Sequence, residues 1–326
     1  MMEGLLKARR TIMKKSLLLA VIFIAGMTLP GQQVAFRSAE KDLILEGIAW
    51  DAASGDFFVS SIFRNKIVKI AKNNEWTDFI PSRGDGFAGG VGLHADPERR
   101  MLWACSGNVM GDRFRTGVFA FDLNTGKLVK KIFYPESPAR RFFNDLAIDK
   151  QGSVYITDTY DHSIWKWNLA MAEPVKLELR GGIEYPNGIA ISPDNQFLFV
   201  TSKQGLKRVT LHDNAVDLMQ MPPGPITSTG LDGIAFYKCS ILAVQNGTEK
   251  SRILRYRLAK GLDRIERIEL LDMENEHFAI PTTLAVAQGW LYVVANSQLL
   301  NLDQKKLEII NPEKSVHSVI LKYKLE

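Results

Sequence analysis

Short apolar segments separated by turn residues recur along this chain in one internal order. A first apolar segment such as Asn187-Gly-Ile-Ala-Ile-Ser is followed by turn residues such as Pro193-Asp-Asn. A second, almost wholly apolar segment comes next, as in Phe197-Leu-Phe-Val, and a third alternates polar and apolar residues, as in Lys66-Ile-Val-Lys-Ile. Branched and aromatic residues bounded by Gly, Asn and Asp are typical of β-strands and turns. Beyond the N-terminal leader no stretch shows a convincing helical period, so the pattern predicts an all-β fold.

The repeated unit begins six times, at intervals of about 43 to 53 residues, which is the period of a four-stranded propeller blade. The six starts are Glu46-Gly-Ile-Ala, Val91-Gly-Leu-His, Asn144-Asp-Leu-Ala, Asn187-Gly-Ile-Ala, Asp232-Gly-Ile-Ala and Thr282-Thr-Leu-Ala. The last unit stops after its third strand, and the segment around Gln33 can supply the fourth. We therefore predict a six-bladed β-propeller with four antiparallel strands per blade, closed by an N-terminal strand.

Two features interrupt the repeat. The sixth unit carries an insertion at about 299–315, which we expect to form a surface loop. The two cysteines, Cys105 and Cys239, fall in the second and fifth units, on opposite sides of the predicted ring. A disulfide needs Cα atoms within about 7 Å, so we expect two buried free thiols.

Most of the net charge lies in the leader. The 326-residue chain has a formal charge of +5, and residues 1–32 hold five Lys or Arg against Glu3 alone. About +1 remains for the rest of the chain, and no basic stripe of the kind that binds nucleic acid is visible. The composition therefore favours a small-molecule ligand over a nucleic acid.

The leader has the features of an export signal. Lys14 and Lys15 precede an apolar run from 17 to about 29, which ends at Pro30-Gly31. Such a run is short for a stable membrane span, so we interpret residues 1–32 as a cleaved signal peptide and residues 33–326 as one domain. The expected destination is the periplasm or the outside of the cell, with membrane contact only through an uncleaved leader.

The first residues of the six units carry the candidate chemistry. Equivalent positions of all blades meet around one axis, so Glu46, Asn144, Asn187 and Asp232 should share one mouth of the central channel. Two carboxylates and two amide oxygens suit a hard divalent cation such as calcium, and none of the six leading residues has the thiol or imidazole that would suggest zinc. Asp232 is in addition our candidate general base, which would activate a water molecule.

These motifs resemble those of the gluconolactonase and senescence-marker-protein (regucalcin) family of six-bladed propellers. The chain is more distantly similar to paraoxonases and strictosidine-synthase-like proteins. The resemblance runs from about residue 43 to the C-terminus and depends on Leu45-Glu-Gly-Ile, Phe143-Asn-Asp-Leu, Tyr185-Pro-Asn-Gly and Leu231-Asp-Gly-Ile. It implies that the four leading residues hold a divalent cation, usually calcium, and that Asp232 transfers protons in lactone hydrolysis.

The chain departs from this family at two positions. Regucalcin-like members carry a substrate-binding Arg where this chain has Phe142, and Arg141 lies one residue further back. The catalytic His of paraoxonases is replaced by Val91, and His94 falls on the wrong side of the strand start. Near the mouth, Arg141, Phe142, Tyr185 and Thr282 remain as candidate substrate-binding residues. The aromatic ones could equally pack between blades.

The sequence thus predicts an exported, calcium-dependent hydrolase of the lactonase type, which acts as a monomer on a small lactone or ester. Two alternatives use the same mouth. One is a non-catalytic propeller with a structural metal ion, which binds a ligand or protein, and the other is a lyase or isomerase with metal-assisted enolate chemistry. Propellers host all three functions, so the fold does not separate them.

Overall fold

The computed structural model describes residues 32–110, 113–137, 140–303 and 305–325. The predicted signal peptide lies outside these ranges, apart from its last residue, Gln32. Within the described ranges, no helix is long and apolar enough to cross a membrane.

The described chain forms 26 β-strands and three short 3₁₀ turns. The N-terminal strand and the first three blades comprise β1 (Gln33–Arg37); β2 (Leu45–Trp50), β3 (Phe57–Ser61), β4 (Lys66–Ile70) and β5 (Trp76–Ile80); β6 (Gly90–Asp96), β7 (Met101–Met110), β8 (Arg113–Asp122) and β9 (Leu128–Ser137); and β10 (Phe143–Ile148), β11 (Val154–Asp158), β12 (Ser163–Trp167) and β13 (Val175–Lys176).

The remaining three blades follow the same plan. They comprise β14 (Ile189–Ile191), β15 (Phe197–Ser202), β16 (Gly205–Thr210) and β17 (Ala215–Leu218); β18 (Leu231–Phe236), β19 (Ser240–Gln245), β20 (Arg252–Leu258) and β21 (Ile265–Met273); and β22 (Leu284–Ala287), β23 (Trp290–Val294), the short pair β24 (Leu302–Asp303) and β25 (Glu308–Ile309), and β26 (Val319–Lys324). The 3₁₀ turns span Gly84–Gly86, Leu299–Asn301 and Pro312–Lys314.

Each blade is a sheet of four antiparallel strands, and the sixth sheet draws on both ends of the chain. Its strand order is β22-β23-β26-β1, so the N-terminal strand forms its outer edge. Gln33 lies opposite Lys322 and Arg37 lies opposite Val319 in this pairing. The predicted six-bladed propeller, with its ring closed by an N-terminal strand, is confirmed.

The hydrophobic core is divided into six clusters, one at each junction between neighbouring blades. Between the second and third blades, for example, Trp103 packs edge-to-face on Trp167 with ring centroids 5.7 Å apart. Since every blade buries its faces only against its neighbours, removal of one blade would expose two clusters to water.

The two irregular features differ from what the sequence predicts. Both cysteines are free and Cys105 is buried, as expected, but Cys239 is exposed. Cys239 lies in the tight turn between β18 and β19 with φ of 53°, which turns its side chain out of the core, so the prediction of a buried thiol was wrong here. The insertion in the sixth blade is an ordered segment, with the β24–β25 pair between two 3₁₀ turns.

Candidate active site at the channel mouth

A β-bulge positions the leading residues of four blades. In these blades two residues of the inner strand lie opposite one residue of the second strand: Glu46-Gly47, Val91-Gly92, Asn144-Asp145 and Asp232-Gly233. Asn187 and Thr282 lie just ahead of the inner strands β14 and β22. A bulge bends the strand and redirects its side chains, so it sets these residues apart from the regular strand that follows.

Hydroxyl groups connect the leading residues of neighbouring blades. Ser60 donates to the Val91 carbonyl at 2.5 Å, Thr157 to the Asn187 carbonyl at 2.7 Å, and Thr201 to the Asp232 carbonyl at 3.3 Å. Thr282 donates to the Glu46 carbonyl at 3.1 Å and so joins the last blade to the first. The backbone at the mouth is therefore fixed from blade to blade by buried side chains.

Glycines after the leading residues let the inner strands approach one another closely. A Cβ atom at Gly47 would collide with the Val91 carbonyl oxygen, and one at Gly188 would collide with the Asp232 carbonyl oxygen. The recurrent second-position glycine of the repeat thus has a steric cause. It allows leading residues of adjacent blades to gather around a narrow axis.

Three carboxyl groups face one another at this point. Burial, followed by the charges of Asp232 and Asp145, raises the pKa of Glu46 well above its usual range, although Thr282 lowers it in part. Burial raises the pKa of Asp232 to about 7. Burial also raises the pKa of Asp145 to about 7, with a further increase from the charge of Asp232. Each of the three acids is thus within range of the charge of at least one other.

Amide side chains surround the acids and turn their nitrogen atoms toward protein acceptors. The Asn246 amide donates to Asp232 Oδ2 at 2.6 Å and to the Pro281 carbonyl at 2.8 Å. Asn187 also hydrogen-bonds the Asp232 carboxylate, and both bonds lower the pKa of Asp232. The Asn144 amide donates to Thr159 Oγ1 at 3.0 Å. This orientation leaves amide oxygens as the acceptors of the site. We call Glu46, Asn144, Asp145, Asn187 and Asp232 the floor.

Two of the polar groups at the floor were not among the predicted residues. Asp145 occupies the second position of its repeat, where four of the other five units have Gly. That exception was the available signal for a second acid. Asn246 follows β19 at the end of a strand, and its only sequence signal was an Asn-Gly turn. It joins the site because β18 and β19 pair, which the floor motif alone does not reveal.

A cavity of about 160 Å³ opens above Glu46. Its lining includes the apolar or aromatic side chains of Ile62, Val91, Phe142, Tyr160, Leu299 and Leu307, and the amide of Asn108. We call Phe142, Tyr160, Leu299 and Leu307 the wall. A second cavity of about 260 Å³ lies further along the channel, is lined by all six inner strands and reaches Asp145. Asp145 therefore lies at the side of the floor that faces away from the mouth.

The structure places the four predicted substrate-binding residues in different environments. Phe142 lines the mouth cavity, and Thr282 is buried beneath Glu46. Tyr185 is 40% exposed and packs against Tyr160 and His162, with ring centroids 6.5 and 4.4 Å apart. It is thus at the rim, one ring away from the cavity.

Arg141 is occupied by contacts within its own part of the fold. Its guanidinium lies 4.2 Å from the Tyr134 ring centroid and 4.6 Å from that of Trp165. Its Nε is 3.5 Å from Asp158 Oδ2, in a carboxyl group whose pKa burial raises to about 6. The side chain is therefore held between two rings and an acid, and it is not part of the mouth lining.

A protein-family model described as the SMP-30/gluconolactonase/LRE-like region matches residues 44–228, which is more than half of the chain. The match begins just before Glu46 and ends before Asp232, so it covers the first, third and fourth blades' floor residues. No curated protein sequence is significantly similar to the chain.

Three solved structures with a similar fold are distant from the chain in sequence. The major allergen Mala s 1 of Malassezia sympodialis is 16% identical with a TM-score of 0.67, and the similarity covers 91% of this chain and 96% of the allergen. A gluconolactonase from Xanthomonas campestris is 13% identical, with a TM-score of 0.57 and 86% of each chain covered. Virginiamycin B lyase from Staphylococcus aureus is 14% identical, with a TM-score of 0.58 and coverage of 89% and 83%. At these identities the similarities show the propeller fold and not a shared reaction.

Proposed function

Because the chain belongs to the SMP-30/gluconolactonase/LRE-like family, we propose that it is a lactonase-type hydrolase that depends on a divalent cation and cleaves a small lactone or ester. The observation that carries this proposal is the buried Oε2 atom of Glu46, which has no hydrogen-bond partner among the described residues. The charges of Asp232 and Asp145 also repel a charge on Glu46. An isolated buried carboxylate oxygen is costly, and a cation at the floor would stabilise it.

The residues of the floor fit such a cation. Glu46 and Asp232 would contribute carboxylate oxygens, and Asn144 and Asn187 would contribute amide oxygens. In the described part of the chain, no three His, Cys, Asp or Glu side chains form a metal-binding group by themselves, so the amides are a necessary part of the proposed ligand set. Oxygen ligands of this kind suit calcium, which is the cation that we propose.

The catalytic step is the attack of water on the carbonyl carbon of the substrate. Asp232 takes one proton from the water as the new C–O bond forms, and this proton passes to the departing alkoxide oxygen when the original ester bond breaks. Without a cation, burial raises the pKa of Asp232 to about 7. A calcium ion beside this carboxylate would lower that pKa and keep Asp232 ionised, which is the form that accepts the proton. A cation held by Glu46, Asn144, Asn187 and Asp232 would supply positive charge that stabilises the negative charge developing on the carbonyl oxygen.

Hydrolysis of a panel of lactones and esters in calcium, then after chelation with EGTA, tests this function. We expect turnover that disappears on chelation and returns with added calcium. Asp232→Asn should lower kcat by at least about 100-fold, as is usual for loss of a general base. If Asp232→Asn kept full activity on the true substrate, the proposed role would be wrong.

The main alternative predicts a different result of the same experiment. A binding propeller with a structural ion would show no turnover, and chelation would only lower its melting temperature. One feature of the mouth favours this alternative. Regucalcin-like proteins have a substrate-binding arginine at the position where this chain has Phe142, which lines the cavity.

We also propose that the protein is exported through its N-terminal leader. The basic and apolar segments of residues 1–32 support this proposal. N-terminal sequencing of protein from the culture medium or periplasm, expressed from the full chain, would test it. An intact leader on cytoplasmic protein would contradict it.

A further inference from the structure

The mouth cavity presents very few polar groups to a bound molecule. The carboxyl group of Glu46 at the floor, the amide of Asn108 and the hydroxyl of Tyr160 are the polar side-chain groups in its described lining, and the remaining side chains are aliphatic or aromatic hydrocarbon. Asn108 is 6% exposed, and its Oδ1 atom is buried without a hydrogen-bond partner among the described residues. The cavity therefore offers polar contacts at one end of a ligand and apolar contacts around the rest.

The nearby arginines do not change this character. No Lys or Arg belongs to the described lining of the cavity. Arg141 is held between Tyr134 and Trp165, and the Arg140 guanidinium lies 5.6 Å from the Tyr160 ring centroid, on the exposed side of the wall. A ligand at the floor would thus meet neither guanidinium directly.

Aromatic rings extend the apolar surface from the cavity to the rim. Tyr160 contacts Phe142, Phe114 and Tyr185, with ring centroids 6.0, 5.1 and 6.5 Å apart. These rings meet edge-to-face, which is a favourable and fixed arrangement. They form a continuous path of apolar surface that leads outward from Glu46.

The sixth-blade insertion closes the other side of the cavity. Leu299 reaches the lining from the 3₁₀ turn ahead of β24, and Leu307 reaches it from the position just before β25. The segment is held by Asn301, whose amide donates to the Asn311 carbonyl at 3.0 Å and whose Oδ1 accepts the Asn311 N–H at 2.9 Å. Leu300, which directly follows Leu299 in sequence, is 82% exposed and does not belong to the lining.

From this lining we propose that the mouth selects lactones or esters with an apolar substituent and discriminates against polyhydroxylated sugar lactones, and that Leu299 and Leu307 determine this preference. The inference rests on the proposed function of the same site. Beyond the few hydroxyls that Asn108, Tyr160 and Glu46 could bind, those of a sugar lactone would lose their water against the apolar wall without gaining a partner, which is unfavourable. An alkyl chain in the same place would bury apolar surface on both partners.

The test compares kcat/KM in calcium for glucono-1,5-lactone, unsubstituted δ-valerolactone and δ-lactones with butyl and hexyl substituents. We expect kcat/KM for the alkyl lactones to exceed that for the unsubstituted ring by at least about 10-fold, since a single methylene in an apolar pocket changes kcat/KM by roughly 10- to 200-fold. The sugar lactone should be the poorest substrate. Equal or faster hydrolysis of the sugar lactone would overturn the proposal.

Variants of the insertion assign the preference to the wall. Leu299→Gln and Leu307→Gln should each reduce the ratio of butyl-lactone to unsubstituted-lactone kcat/KM, chiefly through KM, by about 10-fold. Leu300→Gln is the matched control in the same turn, and its ratio should equal that of the wild type. The same change in all three variants would show a general effect on the insertion and would contradict a specific role of the wall.

A binding measurement separates this proposal from the proposed function. Calorimetric titration with δ-lactams, which resist hydrolysis, should show the same preference for alkyl over polyhydroxylated rings even if no lactone turns over. Alkyl preference without turnover would overturn the hydrolase proposal alone. Turnover without alkyl preference would overturn the inference drawn from the wall alone.

Discussion

The floor and the wall of the mouth lie only one side chain apart, but they arise from different parts of the sequence. Four of the five floor residues come from equivalent positions of the repeat and follow from the sixfold geometry, and the fifth, Asp145, enters through the bulge of the third blade. The wall comes from places where the repeat is interrupted: the blade-six insertion supplies Leu299 and Leu307, and residues just outside the strands β10 and β11 supply Phe142 and Tyr160. The comparison teaches that the periodic part gathers charge, whereas the irregular part shapes the space that a ligand occupies.

The match to the family model shows the same division. It covers the floor through Asn187 but stops before the fifth-blade acid Asp232 and before the insertion. Family membership therefore supports the general type of site, while the properties of the wall have to be derived from this chain. Three experiments test the division, and they are described in order of the expected effect.

Loss of a floor acid should have the largest effect. Glu46→Gln removes one proposed calcium ligand and should weaken calcium affinity by at least about 100-fold, since even loss of an outer-shell partner costs roughly 10- to 100-fold. Titration calorimetry measures the affinity. The variant also removes one of three repelling acids, so its metal-free form should melt no lower than the wild type. Unchanged calcium affinity would separate Glu46 from the cation site.

A methyl group added between inner strands should have the next largest effect. Gly47→Ala places a Cβ atom against the Val91 carbonyl oxygen and should lower the free energy of unfolding by about 1–3 kcal/mol. Urea denaturation measures this change. Gly182→Ala is the matched control, because no heavy atom lies within 4 Å of its added Cβ. A Gly47→Ala protein as stable as the control would show that the floor strands have more room than the structure indicates.

A change of pH should have a smaller effect on stability, and the effect should have opposite signs in the metal-free and the calcium-bound protein. The pKa values of Asp145 and Asp232 are raised to about 7 in the folded protein, against about 3.9 in an unfolded chain. Protonation is therefore favoured by folding, and metal-free protein should gain stability as the pH falls from about 8 to 5. We expect its melting temperature to rise by about 3 °C or more, since roughly 1 kcal/mol corresponds to 2–4 °C in large domains.

Differential scanning fluorimetry in EGTA and in calcium measures both trends. Calcium needs ionised ligands, so its stabilising effect should increase with pH. The triple variant Glu46→Gln, Asp145→Asn, Asp232→Asn is the control, and it should lose most of the metal-free pH trend. A metal-free melting temperature that falls between pH 8 and 5 would mean that these acids are ionised in the folded protein.

The repeat made most of the fold predictable, because its period fixes both strand order and blade number. It placed Glu46, Asn144, Asn187 and Asp232 at equivalent strand ends without any information on side-chain contacts. The bulge, however, puts a second residue of each repeat at the site, and that is how Asp145 enters the floor. Periodicity gives the position of a residue along a blade, but not the local irregularity that redirects it.

Contacts between strands account for what the sequence could not show. Asn246 reaches Asp232 through the pairing of β18 with β19. Arg141 packs against the rings of Tyr134 in β9 and Trp165 in β12. Cys239 is exposed because it lies in the turn between β18 and β19 and not within a strand. Of the wall, the sequence indicated Phe142 as a candidate substrate-binding residue but not Leu299 and Leu307, since the insertion has no equivalent in the other five units.

The pairing of β1 with β26 has a consequence for how the protein is made. The outer strand of the sixth blade precedes every other described strand along the chain, and its partner β26 follows them all, so the ring stays open until β26 has left the ribosome. Until then β1 has no neighbour and the edge of β26 does not yet exist. A chaperone that covers these strand edges during this interval would prevent them from pairing with other chains. Proteolysis that extends past Gln33 would shorten β1 and leave the edge of β26 exposed in the folded protein, where it could promote aggregation.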